Sequence, residues 1–215
     1  MSLAFQLQIE RCHKNAGTDS AIDFRQDRRT WPHGDSPGTI PFDIKWDHAM
    51  FALRCTRKLL DLIPGVVEEP GPSTTILGDW YANICPSEPR VILLVSERAL
   101  LPVAVLTAPV STLVIRFAEQ LAFVLDDLHV PKDQIMAELE AMQECHVGKN
   151  VNRSVTRLAN DPMYHLGWML DHPRPPSLLE ISRRLAKFPL KARGWQYASE
   201  VCKALFSESA DAVRR

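Results

Sequence analysis

The pattern of apolar and polar positions sharpens after Met50 and predicts strands followed by helices. Residues 51–56 have the composition of a strand, and residues 57–63 predict a short helix that ends at a Pro-Gly pair. Three further strands are predicted over 74–84, 90–95 and 101–106. Because these three lie close together along the chain, we expect them to form an antiparallel meander.

The second half of the chain has helical periodicity. Over residues 112–128, apolar side chains recur at helical spacing, and Pro131 suits the first turn of a second helix. Ser177-Leu-Leu-Glu180 is a capping-box pattern that predicts a helix reaching Phe188. Residues 145–151 predict a short link or strand, and further helical segments are predicted after Asn152, over 161–170 and over 195–206.

These elements predict an α+β fold with a small, mostly antiparallel sheet over about residues 50–107, packed against a helical C-terminal half. Residues 1–49 combine Asp, Arg, Gly and Pro without a sustained period, so we expect an extended or poorly ordered arm. Residues 50–206 are predicted to form a single domain, followed by a C-terminal tail over 207–215.

The composition of the chain bears on its partners, its compartment and its association with membranes. The 215 residues include 25 Lys+Arg and 26 Asp+Glu, and a net charge of −1 does not indicate nucleic acid as a partner. Five scattered cysteines without a C-x-x-C pair fit a reducing compartment, so we expect a cytoplasmic protein. No apolar run reaches the length of a membrane span, and no signal peptide is evident, so no membrane association is predicted.

The motifs of common cofactor and metal sites are missing from the sequence. Gly148-Lys149-Asn150 lacks the first glycine and the hydroxyl of a phosphate-cradling loop, and H-E-x-x-H does not occur. Cys145 and His146 are neighbours that would point to opposite faces of a strand. We therefore predict no cofactor and no metal.

Residues 77–83 are unusual in composition. On a strand, Asp79, Tyr81 and Asn83 share one face, while Trp80 and Ala82 share the other, which predicts a buried Trp80. Asp79 then either closes a turn or lies in a polar cleft. Asp79 and Asn83 would be about 13 Å apart on a regular strand, too far to chelate one ion.

Residues 152–161 form a second unusual segment. If the segment is helical, Asn152, Arg153 and Ser154 lie at its start, where they either hold an anion or only cap the helix. We expect Asn152 and Arg153 to lie close to the strand that carries Asp79. The candidate polar cluster predicted from both segments is Asp79, Asn83, Arg98, Asn152, Arg153, Asn160 and Asp161.

Three stretches of the chain resemble a known family. They are Leu-Gly-Asp-Trp-Tyr-Ala-Asn over 77–83, the segment 93–102, and Asn-Arg-Ser-Val over 152–155 with Asn160-Asp161. Together they are similar to an uncharacterised bacterial family classed as a domain of unknown function. The resemblance covers roughly residues 50–190 and implies no activity.

The function predicted from these observations is that of a small binding or regulatory module with an anion- or protein-binding groove beside Arg153. One alternative is a small enzyme that acts on a phosphorylated or nucleic-acid substrate. Another is one half of a bacterial paired system, in which a partner protein covers an apolar face. The catalytic residues, if any, and the ligand or partner protein stay unknown at this point.

Overall fold

Five strands build the central sheet. The computed structural model describes residues 49–63, 71, 73–190 and 195–213, within a unit that runs from His48 to Arg215. The predicted arm over 1–49 lies outside these residues except for Ala49. The strands are β1 (Met50–Cys55), β2 (Trp80–Cys85), β3 (Val91–Ser96), β4 (Pro102–Leu106) and β5 (Glu144–Lys149).

Seven helices surround the sheet in the described part of the chain. They are α1 (Arg57–Leu60), α2 (Leu113–Asp127), α3 (Lys132–Ala141), α4 (Arg153–Leu158), α5 (Asn160–Leu170), α6 (Leu178–Ala186) and α7 (Ala198–Val213). A 3-10 turn (Val110–Thr112) precedes α2, and two short strands, β6 (Pro189–Leu190) and β7 (Gln196–Tyr197), pair before α7. Across the described helices, none combines the length and apolar character that crossing a bilayer requires.

The sheet is mixed, with strand order β4-β3-β2-β1-β5. The meander of β2, β3 and β4 is antiparallel as expected, but β1 is parallel to both of its neighbours, β2 and β5. The prediction of a mostly antiparallel sheet within residues 50–107 was therefore wrong, although the α+β class was right. The crossover through α2 and α3 returns the chain to the far side of β1, which makes β5 a parallel partner.

Both faces of the sheet are covered by helices. All six residues of β3 are buried, which is typical of a sheet packed on two sides. The first core contains Phe51 and Trp80 and includes residues of α1, α2, α3 and α7. The second core contains Tyr81 and Leu93 and includes residues of α4, α5 and α6. Trp80 is fully buried, so its predicted orientation is confirmed.

Two element boundaries differ from the prediction. Strand β2 begins at Trp80 and not near residue 74, because the Thr75 hydroxyl donates to the Gly78 carbonyl (2.9 Å) and closes a turn. Helix α7 continues to Val213, through most of the segment predicted as a tail after Phe206. The added residues, 207–213, contain alanine and glutamate, which favour helix continuation.

Helix α6 lies along the edge strand β4. The backbone N–H of Ala104 donates to the Ser182 hydroxyl oxygen (2.9 Å), and that hydroxyl donates to the Leu178 carbonyl (2.8 Å). Ser182 is fully buried, so its side chain occupies a position that another strand would otherwise take.

Candidate functional site

A set of polar side chains lies on the second face of the sheet, beneath the start of α4. We call it the polar cluster, and its members are Arg54, Asp79, Tyr81, Glu97 and Asn152. Arg54 and Tyr81 are register partners on β1 and β2. Asp79 directly precedes β2, Glu97 directly follows β3, and Asn152 is the N-cap of α4. Four separate segments therefore contribute to one polar patch between the sheet and the helices.

Arg54 and Asp79 form an ion pair. The Arg54 Nε donates to Asp79 Oδ2 at 3.0 Å, and the two side chains are only 13% and 11% exposed. Burial raises the pKa of Asp79 above its ordinary value, and the hydrogen bond and charge of Arg54 oppose that rise. Because each charge is the other's partner in a nearly dry site, the pair links β1 to the start of β2.

Glu97 joins the two segments singled out in the sequence. Its Oε1 accepts from the Tyr81 hydroxyl (3.3 Å) and from Asn152 Nδ2 (3.5 Å), and its backbone N–H donates to the Asp79 carbonyl (2.8 Å). Burial, and then the nearby charge of Glu97, raise the pKa of Tyr81 to about 12. Tyr81 therefore stays protonated at neutral pH and acts as a donor.

The structure places the predicted candidates in four different surroundings. Asp79 and Asn152 belong to the polar cluster, and Asn83 accepts from the Thr56 hydroxyl (3.1 Å) further along β2. Arg98 donates to the Ile76 carbonyl (3.4 Å) in the turn before β2. The other three candidates, Arg153, Asn160 and Asp161, are exposed on the surface of α4 and α5. The cation that pairs with Asp79 is Arg54 and not Arg153.

The N-terminus of α4 is capped by the side chain of Asn152. Asn152 Oδ1 accepts from the backbone N–H groups of Ser154 (3.0 Å) and Val155 (3.3 Å). These two amide groups therefore already have a hydrogen-bond acceptor, as is usual when an N-cap side chain is present. With these two amide groups satisfied, an anion beside α4 would depend mainly on side chains.

Sequence reasoning missed three charged residues that organise this region, namely Arg54, Glu97 and Glu138. Arg54 interrupts the apolar alternation of β1, and Glu138 interrupts the apolar side of α3 beside Ile135 and Leu139. A charged residue on an otherwise buried face needs a partner, so both interruptions were usable signals. Glu97 gave no such signal, because it lies in a polar turn.

A second feature lies at the carboxyl ends of β1 and β5. The backbone N–H of Asn150 donates to the Cys55 carbonyl (3.1 Å), so the segments that follow the two strands start side by side. After β1 the chain enters α1, whose Leu59 lies in the first core. After β5 it enters α4, whose Val155 lies in the second core. Adjacent parallel strands whose connections leave to opposite faces create a crevice where ligands commonly bind.

The two connections that leave this edge of the sheet are strongly basic. Residues 56–63 and 150–158, with the end of β5, carry five cations and a single acidic residue, Asp61. We call the five the basic edge: Arg57, Lys58, Lys149, Arg153 and Arg157. All five are exposed, and within the described residues none of them forms an ion pair.

The described residues offer little support for catalysis or metal binding. They contain no group of three or more His, Cys, Asp or Glu side chains that could hold a metal ion. Burial raises the pKa of the thiols of Cys55, Cys145 and Cys202 to about 12, which keeps them protonated and unreactive. A half-open cavity of about 400 Å³ lies between the α2–α3 connection and α7, and no member of the polar cluster lines it.

One protein-family model matches residues 52–201, which is well over half of the chain. The matched family is described as a domain of unknown function (DUF6933). The chain belongs to the DUF6933 family. This membership confirms the resemblance to a family of unknown function that the sequence suggested. Comparison of this DUF6933 chain with curated proteins and with solved structures gave no match in either case.

Proposed function

We propose that the protein is a binding module that recognises an anionic, phosphate-like group at the basic edge. The observation that carries this proposal is the point beyond β1 and β5 at which the chain leaves the two parallel strands toward opposite faces. In open sheets with parallel strands, such a position outside the carboxyl ends is where ligands bind.

The charge at this position supports an anion. Arg57 and Lys58 come from the first connection, and Arg153 and Arg157 come from the second, so both connections supply cations. Exposed cations without ion-pair partners are free to form charge-assisted hydrogen bonds with phosphate oxygens. Recognition by side chains also agrees with the capped state of α4, whose first amide groups bond to Asn152.

Binding is favoured over catalysis because the polar cluster is internally satisfied. Arg54 bonds Asp79, and Glu97 bonds both Tyr81 and Asn152. A catalytic site needs a base or nucleophile directed at a substrate position, and these groups are directed at one another. We assign the cluster the role of fixing Asn152, and through it the connection that carries Arg153.

The cysteines support a cytoplasmic location, as expected from the sequence. Cys55, Cys85, Cys145 and Cys202 are free thiols, three of them buried, which suits a reducing compartment. A bacterial origin, and with it a role in a bacterial regulatory or paired system, rests on the resemblance described above.

The test is a titration of the protein with inorganic phosphate and with pyrophosphate. Isothermal calorimetry measures the affinity, and backbone NMR shifts locate the residues that respond. We expect saturable binding that weakens with added salt, with shifts confined to residues near the basic edge. Loss of one charge-assisted contact, in Arg153→Ala or Lys58→Ala, should weaken binding by about tenfold. These side chains are exposed, so the variants should melt like the original protein.

Arg174→Ala is the matched control, because Arg174 is an exposed arginine that lies beyond α5. Affinity for phosphate should not change in this variant. If the doubly substituted Arg153→Ala/Lys58→Ala protein binds pyrophosphate as tightly as the original, the proposed site is wrong.

A further inference from the structure

Helix α5 turns two large aromatic side chains toward solvent. Tyr164 is 75% exposed and Trp168 is 70% exposed, and they lie one helical turn apart on the same side of the helix. The opposite side of α5 packs Leu166 and Met169 into the second core. The exposed pair therefore contributes nothing to that core, and large exposed aromatic groups of this kind mark interaction sites.

Ring contacts link Tyr164, through His165, to Phe188 beyond α6. Tyr164 meets the ring of His165 edge-on (centroids 5.7 Å apart), and His165 stacks on Phe188 with centroids 4.2 Å apart. We call this surface the aromatic band, and its members are Tyr164, His165, Trp168 and Phe188.

The charges on α5 indicate the kind of partner. Between residues 160 and 171 the sequence has no Lys or Arg, and its two carboxylates, Asp161 and Asp171, are both exposed. Asp161 lies three residues before Tyr164, and Asp171 lies three residues after Trp168, so one carboxylate flanks each end of the exposed pair. Lys187, beside Phe188, is a cation at the other margin of the band.

We propose that the aromatic band is a docking surface for a cationic segment of a partner protein. Lysine or arginine side chains of the partner lie over the rings of Tyr164 and Trp168, whose electron-rich faces attract cations. The same cationic segment pairs with Asp161 and Asp171, and its apolar residues cover the ring edges. The aromatic band and the basic edge have no residue in common, so the proposal does not depend on phosphate binding.

Single-stranded nucleic acid is the main competitor, because bases also stack on exposed aromatic rings. Such ligands need cations beside the rings to neutralise their phosphates. Here the charged groups that flank Tyr164 and Trp168 are carboxylates, which repel phosphate. The local charge therefore favours a cationic polypeptide.

The experiment measures the binding of three fluorescent probes to the full chain by fluorescence anisotropy. The probes are a short peptide that alternates arginine and leucine, the same peptide with glutamate in place of arginine, and oligothymidylate. We expect the arginine peptide to bind and the glutamate peptide not to bind. Trp168→Ala and Tyr164→Ala should each weaken binding by about tenfold, as truncated interface aromatics do.

Two further variants separate charge from aromatic contact. The double variant Asp161→Asn/Asp171→Asn should weaken binding and reduce its dependence on salt. Val151→Ala is the control, because Val151 is 63% exposed but lies on the β5–α4 connection, and its substitution should leave the affinity unchanged. All these side chains are exposed, so unchanged thermal melts will show that each variant is folded.

Four results would overturn the proposal. They are failure of the arginine peptide to bind, equal binding of the glutamate peptide, and unchanged affinity in both aromatic variants. The fourth is tighter binding of oligothymidylate that is lost in Trp168→Ala, which would assign the band to nucleic acid. Sedimentation of the original protein is a separate check, since a dimer that dissociates in Trp168→Ala would identify a second copy as the occupant.

Discussion

Glu138 is a buried carboxylate whose removal should destabilise the segment in front of β2. It is 1% exposed on α3, and both of its oxygens accept from backbone groups. Oε2 accepts from the N–H of Ile76 (2.7 Å), and Oε1 accepts from the N–H of Leu77 (3.1 Å). The substitution Glu138→Ala leaves these two donors buried or nearly buried without an acceptor.

The expected loss follows from those two donors. Each unsatisfied amide costs about 1–3 kcal/mol, so the free energy of unfolding should fall by about 2–6 kcal/mol. Glu138→Gln keeps the shape but turns an NH2 group toward one of the two donors, so it should cost about half as much. Glu140→Ala is the control on the same helix, because Glu140 is exposed, and it should cost well under 1 kcal/mol, as about ±0.5 is usual at such positions.

The pH dependence has a defined sign. Burial raises the pKa of Glu138 from 4.5 to about 7, against the lowering effect of the two amide donors and of the Arg98 charge. The folded state therefore holds a proton more tightly than the unfolded state does. The stabilising contribution is complete below pH 4.5 and is lost as the pH rises to about 7. Converted from the size of the pKa shift of Glu138, this loss of stability is about 3 kcal/mol.

Urea unfolding followed by tryptophan fluorescence at about pH 5 and about pH 8 measures both effects. Between these conditions the original protein should lose stability, and Glu138→Gln, which cannot titrate, should lack that part of the slope. The reasoning is refuted if Glu138→Ala is no more destabilising than Glu140→Ala. It is also refuted if the slope is identical in the original protein and in Glu138→Gln.

Further substitutions test the site in the same urea assay. Trp80→Ala should cost about 3–5 kcal/mol because Trp80 is fully buried and its ring contacts Phe117, and Asp79→Asn should cost less. Arg54→Ala should also cost about 3–5 kcal/mol because it leaves Asp79 buried without its cation, and a hydrophobic replacement of both residues should recover much of that loss. Gly78→Ala should cost about 1–2 kcal/mol because Gly78 has a φ of +78°, and an Arg54→Ala or Gly78→Ala protein as stable as the original would contradict these assignments.

Local rules predicted local structure well. The alternation over 77–83 correctly separated Trp80 from Asp79 and Tyr81, because the two faces of a strand meet two different cores. The capping box at Ser177 was also confirmed, since its hydroxyl accepts from the N–H of Glu180 (3.2 Å). In both cases the pattern that decides the structure lies within a few residues of the sequence.

Pairings between distant segments were not predictable in this way. The partner of Asp79 is Arg54, and that choice depends on the register of β1 against β2, which no local pattern specifies. Strand β5 was uncertain because Glu144, His146 and Lys149 dilute its apolar pattern. Its parallel pairing with β1 depends on a crossover through two helices. The candidate cluster was therefore assembled only in part, without Arg54, Tyr81 and Glu97.

The hydroxyl of Ser182 has a consequence for how this protein behaves at high concentration. It occupies the hydrogen-bonding position of Ala104 on β4, which is one open side of the sheet, so an incoming strand from another molecule would have to displace α6. The other open side, β5, instead carries charged and titratable side chains, which discourage intermolecular strand addition. We therefore expect Ser182→Ala to promote aggregation during concentration or refolding before it abolishes folding, and light scattering would detect this.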